Sequence, residues 1–281
     1  MSGINDELRE QIDVWQPIND FGIGLLPVDG WVFYYDETNN FRSFKFDPEK
    51  SAGYNVERAL THDFILGGIA FNPKTKPDPE QLMDRLGIQK SNELKAGSIL
   101  KHKDFLEDIG LERVHSFLEW ILDSGVTVHF TALNNLYWSI IDLIDEAIFT
   151  DAGRIMIPFH RQMKDQLFFF IMNHLDEMTH FLQRYGYPNL ENENINPFFK
   201  AVSDFILENS YHDTPELFFL EAARQILKDL KNENEMMILS GRESGVLIGS
   251  YVWEYIGAIR DTPNAYHHFD HEIAIEKKMR E

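Results

Sequence analysis

The sequence predicts a mixed α/β fold: a mixed β-sheet flanked by helices, with a helical insertion at about 152–232. Three observations predict it. Apolar and aromatic runs at Trp31–Asp36, Phe41–Phe46 and Phe64–Phe71 have the length and composition of strands. An amphipathic helix separates the third run from a fourth, Val126–Ala132. From about Ala152 to Asn232, phenylalanines and leucines recur at helical spacing, with breaks at Gly186-Tyr-Pro188 and Asp213-Thr-Pro215.

Residues 1–25 are polar and then glycine-rich, a partly ordered lead-in. The first two strands are close in sequence, which favours antiparallel pairing between them. Asp78-Pro79-Glu80 opens a short helix through Leu86, because proline suits the first turn and acids suit the positive end of the dipole. A helix over Asp104–Asp123 carries Phe105, Ile109, Val114, Phe117, Leu118 and Ile121 on one face, and Ser124-Gly125 ends it. A helix crossing between two strands suggests that Phe64–Phe71 and Val126–Ala132 pair in parallel. Leu136–Phe149 is a helix, Glu235–Leu239 returns to strand character, and Val246–Ile259 reads as a helix. The last element is Ala265–Met279, read as helical. We read residues 1–281 as a single domain.

Composition narrows the function. Of 281 residues, 43% are hydrophobic and 22 are phenylalanine, which supports an aromatic-rich core. The absence of cysteine excludes disulfides and thiolate zinc sites, and a reducing cytoplasm is the simplest location. The first residues lack the basic start and apolar run of a signal peptide. No stretch approaches the ~18–20 apolar residues of a membrane span, so no membrane partner is expected. The 46 acids and 26 bases leave a net charge of −20, which disfavours simple electrostatic binding of a phosphate backbone. An enzyme that meets nucleic acid through bridging metal ions remains compatible with that charge.

The acids fall into groups. Asp36 and Glu37 end the first strand and lead into Thr38-Asn39-Asn40. Acids at the end of a core strand need compensation, and carboxylate oxygens suit Mg²⁺ or Mn²⁺. Aspartate, threonine and asparagine also form ordinary turns. Glu93 and Lys95 flank Leu94 in a polar segment and also fit an exposed pair. Asp142 and Asp145 share a helix face, as a site or as the polar edge of an amphipathic helix. Asp270 and Glu272 lie in His267-His268-Phe269-Asp270-His271-Glu272. His267 and His271 are spaced to present two imidazoles on one helical face to Zn²⁺ or Ni²⁺, whereas a solvated helix start explains the same acids. Neither a phosphate-binding glycine loop nor a nucleophile elbow is present, and Gly241-Arg-Glu-Ser-Gly245 does not fit the latter.

Tyr-Tyr-Asp36-Glu37-Thr38-Asn39-Asn40, then Phe64-Ile-Leu-Gly-Gly-Ile-Ala, Glu93-Leu-Lys95 and His268-Phe-Asp270-His-Glu272, in that order, resemble the domain-of-unknown-function family numbered 3800. That bacterial and phage-associated family looks ribonuclease-H-like. The resemblance implies a five-stranded mixed sheet with an acidic metal site and divalent-metal-dependent cleavage of RNA or DNA, with a role in phage defence or mobile elements. It implies that Asp36 bridges metals and that Glu37 is its neighbour in the family's acidic pair. Glu93 is the second acid with Lys95 beside it, and Asp270 or Glu272 is the acid of the final helix. His268 or His129 is a candidate proton carrier. In ribonuclease-H-like nucleases the fourth strand usually ends in an acid. Counted along this sequence, that strand is Val126–Ala132, which runs into Asn134 and Asn135; these offer oxygen but no charge, and Asp142 is the substitute metal ligand. The alternative function is a catalytically degenerate scaffold that binds a protein partner through the helical insertion.

Overall fold

The structure is a computed structural model, which describes residues 28–41, 43–45, 62–75, 77–88, 94–102, 105–210, 217–230 and 236–270. The architecture is mixed α/β. Among the described residues, β1 (Val32–Thr38), β3 (Phe64–Phe71), β4 (Thr127–Leu133) and β6 (Tyr266–His268) form one sheet in the order β4-β3-β1-β6. β2 (Phe44–Lys45) and β5 (Val246–Ile248) form a separate antiparallel pair. The expected pairing of the second strand with the first is therefore corrected: Phe44 is fully buried and lies opposite Ile248.

The direction of β4 is also corrected. A Cβ on Gly67 would meet the Phe130 Cβ at 2.7 Å and the His129 carbonyl oxygen at 2.9 Å. Asn134 at the end of β4 bonds Asp63 at the start of β3 at 2.9 Å. Those two contacts are met together only when the strands run in opposite directions. Gly67 is glycine because β4 approaches it too closely for a side chain. The Asn39 amide, just after β1, likewise donates to the Asp63 carbonyl at 2.8 Å, so β1 ends where β3 begins. β1 and β6 run parallel, with Val32 beside Tyr266, Phe33 beside His267 and Tyr34 beside His268.

The chain divides into two compact units, and β1, β3 and β4 contribute residues to both. The first comprises residues 1–34, 69–128 and 258–268. It holds α1 (Pro79–Arg85), α2 (Ala96–Ile99), α3 (Phe105–Asp108) and α4 (Glu112–Ser124). As the sequence indicates, Asp78 caps α1, accepting from the Glu80 and Gln81 N–H groups, and Pro79 follows it. Gly125, at φ 68°, closes α4 in the left-handed conformation that only glycine adopts without cost. Leu82, Leu86, Ile99, Val114 and Trp120 form the core of this unit.

The second unit comprises residues 35–68, 129–257 and 269–281. Its helices are α5 (Asn135–Ile148), α6 (Asp151–Arg154), α7 (His160–Asn173), α8 (Leu175–Arg184), α9 (Asn192–Asn209), α10 (Phe218–Asp229) and α11 (Val252–Asp261), the last ending in the first unit. α10 packs on α5, α7 and α9, with Leu143, Ile144, Phe198, Phe199 and Leu227 at the dry centre. Asp213-Thr-Pro215 lies outside the described residues.

Met236–Leu239, the described part of the expected strand Glu235–Leu239, is not a strand. Met237, Ile238 and Leu239 turn their N–H groups onto the buried Glu146 carboxylate of α5, at 2.7, 2.7 and 2.9 Å. An ionised carboxylate that collects three backbone donors replaces the ladder a strand would need. Residues 246–259 divide into β5 and the start of α11 rather than forming one helix, and Tyr266–His268 is a strand rather than a helix. Truncating Glu146 leaves three donors without their acceptor, each costing ~1–3 kcal/mol if it stays dry. Glu146→Ala is therefore expected to lower the unfolding free energy by about 3 kcal/mol, read as an earlier midpoint in urea.

Candidate functional site

β1 alternates cleanly. Phe33 and Tyr35 are buried, whereas Tyr34 and Asp36 are exposed on the other face. β6 places His267 on the Phe33 side, with ring centroids 5.5 Å apart, and His268 on the Tyr34 side at 4.7 Å. The paired register ends at Tyr34 and His268, where β6 ends; carried two residues further, it would bring Asp36 level with Asp270. The intervening level agrees, because Tyr35 and Phe269 stack at 4.4 Å. Neighbouring parallel strands lie ~4.8 Å apart and residues at one level share a face. Asp36 and Asp270 are both exposed, both follow the paired stretch of β1 and β6, and both belong to the second unit. One Asp36 oxygen accepts the Glu37 N–H at 2.9 Å.

The other acids expected at a site fare differently. Glu37 is half-buried and, by strand alternation, points to the Tyr35 face, away from Asp36. Lys95 occupies the N-cap position of α2, in the first unit. Glu93, His271 and Glu272 lie outside the described residues. Asp142 lies two turns into α5, and its carboxylate accepts from Arg242 at 2.6 Å. Burial pushes its carboxyl up, and the Arg242 charge only partly offsets this. Asp145 is paired with Lys164 at 2.6 Å, an ion pair with little exposure on either side. The two helix acids are the polar edge of α5, bound to cations of their own unit.

Asn134 and Asn135 have structural partners in place of a metal. The Asn134 Oδ1 caps α5 by accepting the Tyr137 N–H, and its amide donates to Asp63. Asn135 is fully buried; it donates to the His62 carbonyl at 3.0 Å and accepts from the Tyr251 hydroxyl at 2.6 Å. The Zn²⁺ or Ni²⁺ pairing of His267 with His271 loses its helix, because His267 is in a strand and its Nε2 faces the Thr262 carbonyl at 3.1 Å. His129 packs edge-on against Tyr35 at 4.6 Å. Among the described residues, no three histidine or acidic side chains converge as a metal-binding group.

One surrounding of Asp36 and one carboxyl elsewhere were not singled out in the sequence. On the face that carries Asp36, Ile65 and Phe130 are 37% and 71% exposed, a combination of apolar side chains and carboxylates on open sheet. Glu254 on α11 is half-buried without an ion-pair partner among the described residues, and burial pushes its carboxyl up. The following residue, Tyr255, packs on Phe269, on the Tyr35 side of the sheet and so opposite the face that carries Asp36. No family model matches the chain, and neither a curated protein nor a solved structure was found to be similar to it.

A raised carboxyl in the folded state favours the protonated form, so its stabilising contribution is present below the ordinary glutamate range and lost as pH rises through the raised value. Glu254→Gln is accordingly expected to raise the melting temperature at pH 7, and the gain over the parent protein should shrink toward pH 4. Melting curves across that range check the sign; a gain independent of pH contradicts it.

Proposed function

We propose that the chain is a divalent-metal-dependent phosphodiesterase acting on RNA or DNA, a ribonuclease-H-like member of the domain-of-unknown-function family 3800. What carries the reading is the parallel register of β1 and β6, which, extended past His268, would bring exposed Asp36 and Asp270 to one level. Because β2 belongs to the small pair, the fourth strand of the main sheet in chain order is β6, and an acid does follow it, Asp270. On this reading β6 takes the place of the fourth strand, and Asp270 takes the place of the acid that Val126–Ala132 lacks. The fifth strand of a ribonuclease-H-like sheet has no counterpart among the described residues.

The donor set fits Mg²⁺ or Mn²⁺. Mg²⁺ keeps several waters and is commonly held by one or two carboxylates plus substrate phosphates. Asp36 and Asp270 would hold it with hard oxygen donors; Glu93 and Glu272 are the remaining acids of the reading. When bound, the ion supplies an activated water and polarises the phosphoryl oxygen. Asp36 and Asp270 would offset the charge of a bound cation, and exposed Phe130 offers a face on which a base can stack.

The scaffold reading, with a protein partner on the helical insertion, is favoured by the −20 charge and by the engagement of Asp142 with Arg242. Metal-dependent melting separates the two. A ligand at a hundred times its Kd stabilises the folded state by about 2.7 kcal/mol. Mn²⁺ or Mg²⁺ at millimolar concentration is expected to raise the melting temperature of the parent protein but not of Asp36→Asn/Asp270→Asn. Cleavage of single-stranded RNA or DNA in Mn²⁺ is expected to fall at least a hundredfold in Asp36→Asn. Equal cleavage by parent and variant overturns the nuclease reading.

A further inference from the structure

We infer that β4 is a self-pairing edge, along which a second copy of this chain adds its own β4 in the antiparallel direction and extends the sheet. Among the described residues β4 has β3 on one side and no strand on the other. An edge strand turns the N–H and C=O groups of every second residue outward, where they can bond another strand. Its side chains leave that edge open on both faces. Val128, Phe130 and Ala132 are exposed on one face, Thr127 and Thr131 on the other.

Soluble proteins blunt such an edge by making it short, by placing a charge or a proline on it, or by a bulge. The opposite edge, β6, is treated that way: it has three residues, and Asp270 follows closely. β4 has seven residues, Thr-Val-His-Phe-Thr-Ala-Leu, without an acid, lysine, arginine or proline. Residues 124–141 as a whole hold no acid, lysine or arginine, in a chain with 46 acids and a net charge of −20. Two copies of so acidic a chain repel each other over most of their surface, and the repulsion is least along a neutral strand. The same neutrality offers a charged partner no counter-charge. The occupant that fits is another neutral strand, and β4 itself is one.

The sequence of β4 is complementary to itself. Phe130 is its middle residue. With a twofold axis there, antiparallel pairing sets Phe130 against its own counterpart, Val128 against Ala132, His129 against Thr131 and Thr127 against Leu133. The Phe130 face is then apolar against apolar, and aromatic pairs are among the stronger cross-strand contacts. A twofold pairing uses the same edge of both copies, so it closes at a dimer and does not grow into a fibre. One strand pair buries less than the ~1,200–2,000 Å² of a standard interface, so the dimer is expected to dissociate on dilution.

The test is the mass of the full chain in solution, by sedimentation over a range of protein concentrations and without added metal. Expected is a rise from the mass of one chain to twice that mass. Thr131→Lys and Ala132→Lys place a lysine on opposite faces of the same edge. Each is expected to weaken self-association by about tenfold or more while the melting temperature of the dilute protein is kept. The chain has no cysteine, so Phe130→Cys is expected to give a disulfide-linked dimer under mild oxidation. Val128→Cys is expected to give none, because the register keeps its two copies too far apart along the strand. A parent protein of one mass at every concentration, an assembly that grows past two chains, or equal cross-linking of the two cysteine variants each overturns the inference. So does loss of association in Ala132→Lys alone, which marks contact through one sheet face. None of these outcomes depends on Asp36 or Asp270.

Discussion

The second unit is organised around one buried amide. Asn135 follows β4 directly, begins α5, receives the Tyr251 hydroxyl and donates to the backbone just before β3. A buried amide with unmet donors or acceptors is costly, so each element must arrive in its observed place for the others to be tolerated. Around it, Phe64 stacks on Tyr251 with ring centroids 4.2 Å apart, and Asp63 holds Asn134. The start of β3, the end of β4 and the approach to α11 are thereby tied at one level. That level also receives the end of β1 through Asn39 and the Asp63 carbonyl. The strand end carrying Asp36 is positioned by this polar knot rather than by any contact of Asp36 itself.

The acidic chain divides its carboxylates by environment. Glu146 and Asp108 are dry and serve as acceptors for backbone groups that loops would otherwise leave unmet. Asp142 and Asp145 are partly dry and each engages a cation. Asp36 and Asp270 are exposed and engage no cation of the chain among the described residues.

Much of the local structure was legible because it rests on local rules. The alternation of β1, the Asp78-Pro79 start of α1, the Gly125 stop of α4 and the apolar periodicity of α5 are all written within a few residues. What was not legible depends on distant partners. Phe44–Lys45 looks like the second strand of a hairpin, yet its two residues pair with β5. Met237–Leu239 has strand-like side chains, but its donors are taken by a carboxylate far back in the chain. Tyr266–His268 lies in a stretch rich in histidine and acid, with little β propensity, and becomes a strand because β1 offers an edge. For the same reason the sequence identified Asp36 and Asp270 as candidates but did not show that the strands preceding them pair in parallel.

The parallel union of β1 and β6 has a consequence for how the molecule comes to be folded. Asn264, just before β6, bonds Asp29, just before β1, across a separation of 235 positions. A ring of that size closes late, since its entropy must be met before its contacts contribute. During synthesis β1 emerges early and waits while the whole helical unit is made. Its open edge is shielded in that interval by nothing from its eventual neighbour. A charged residue on such a waiting edge discourages pairing with other chains. Asp36 is therefore placed to act as a guard during biogenesis before it has any neighbour with which to share a ligand.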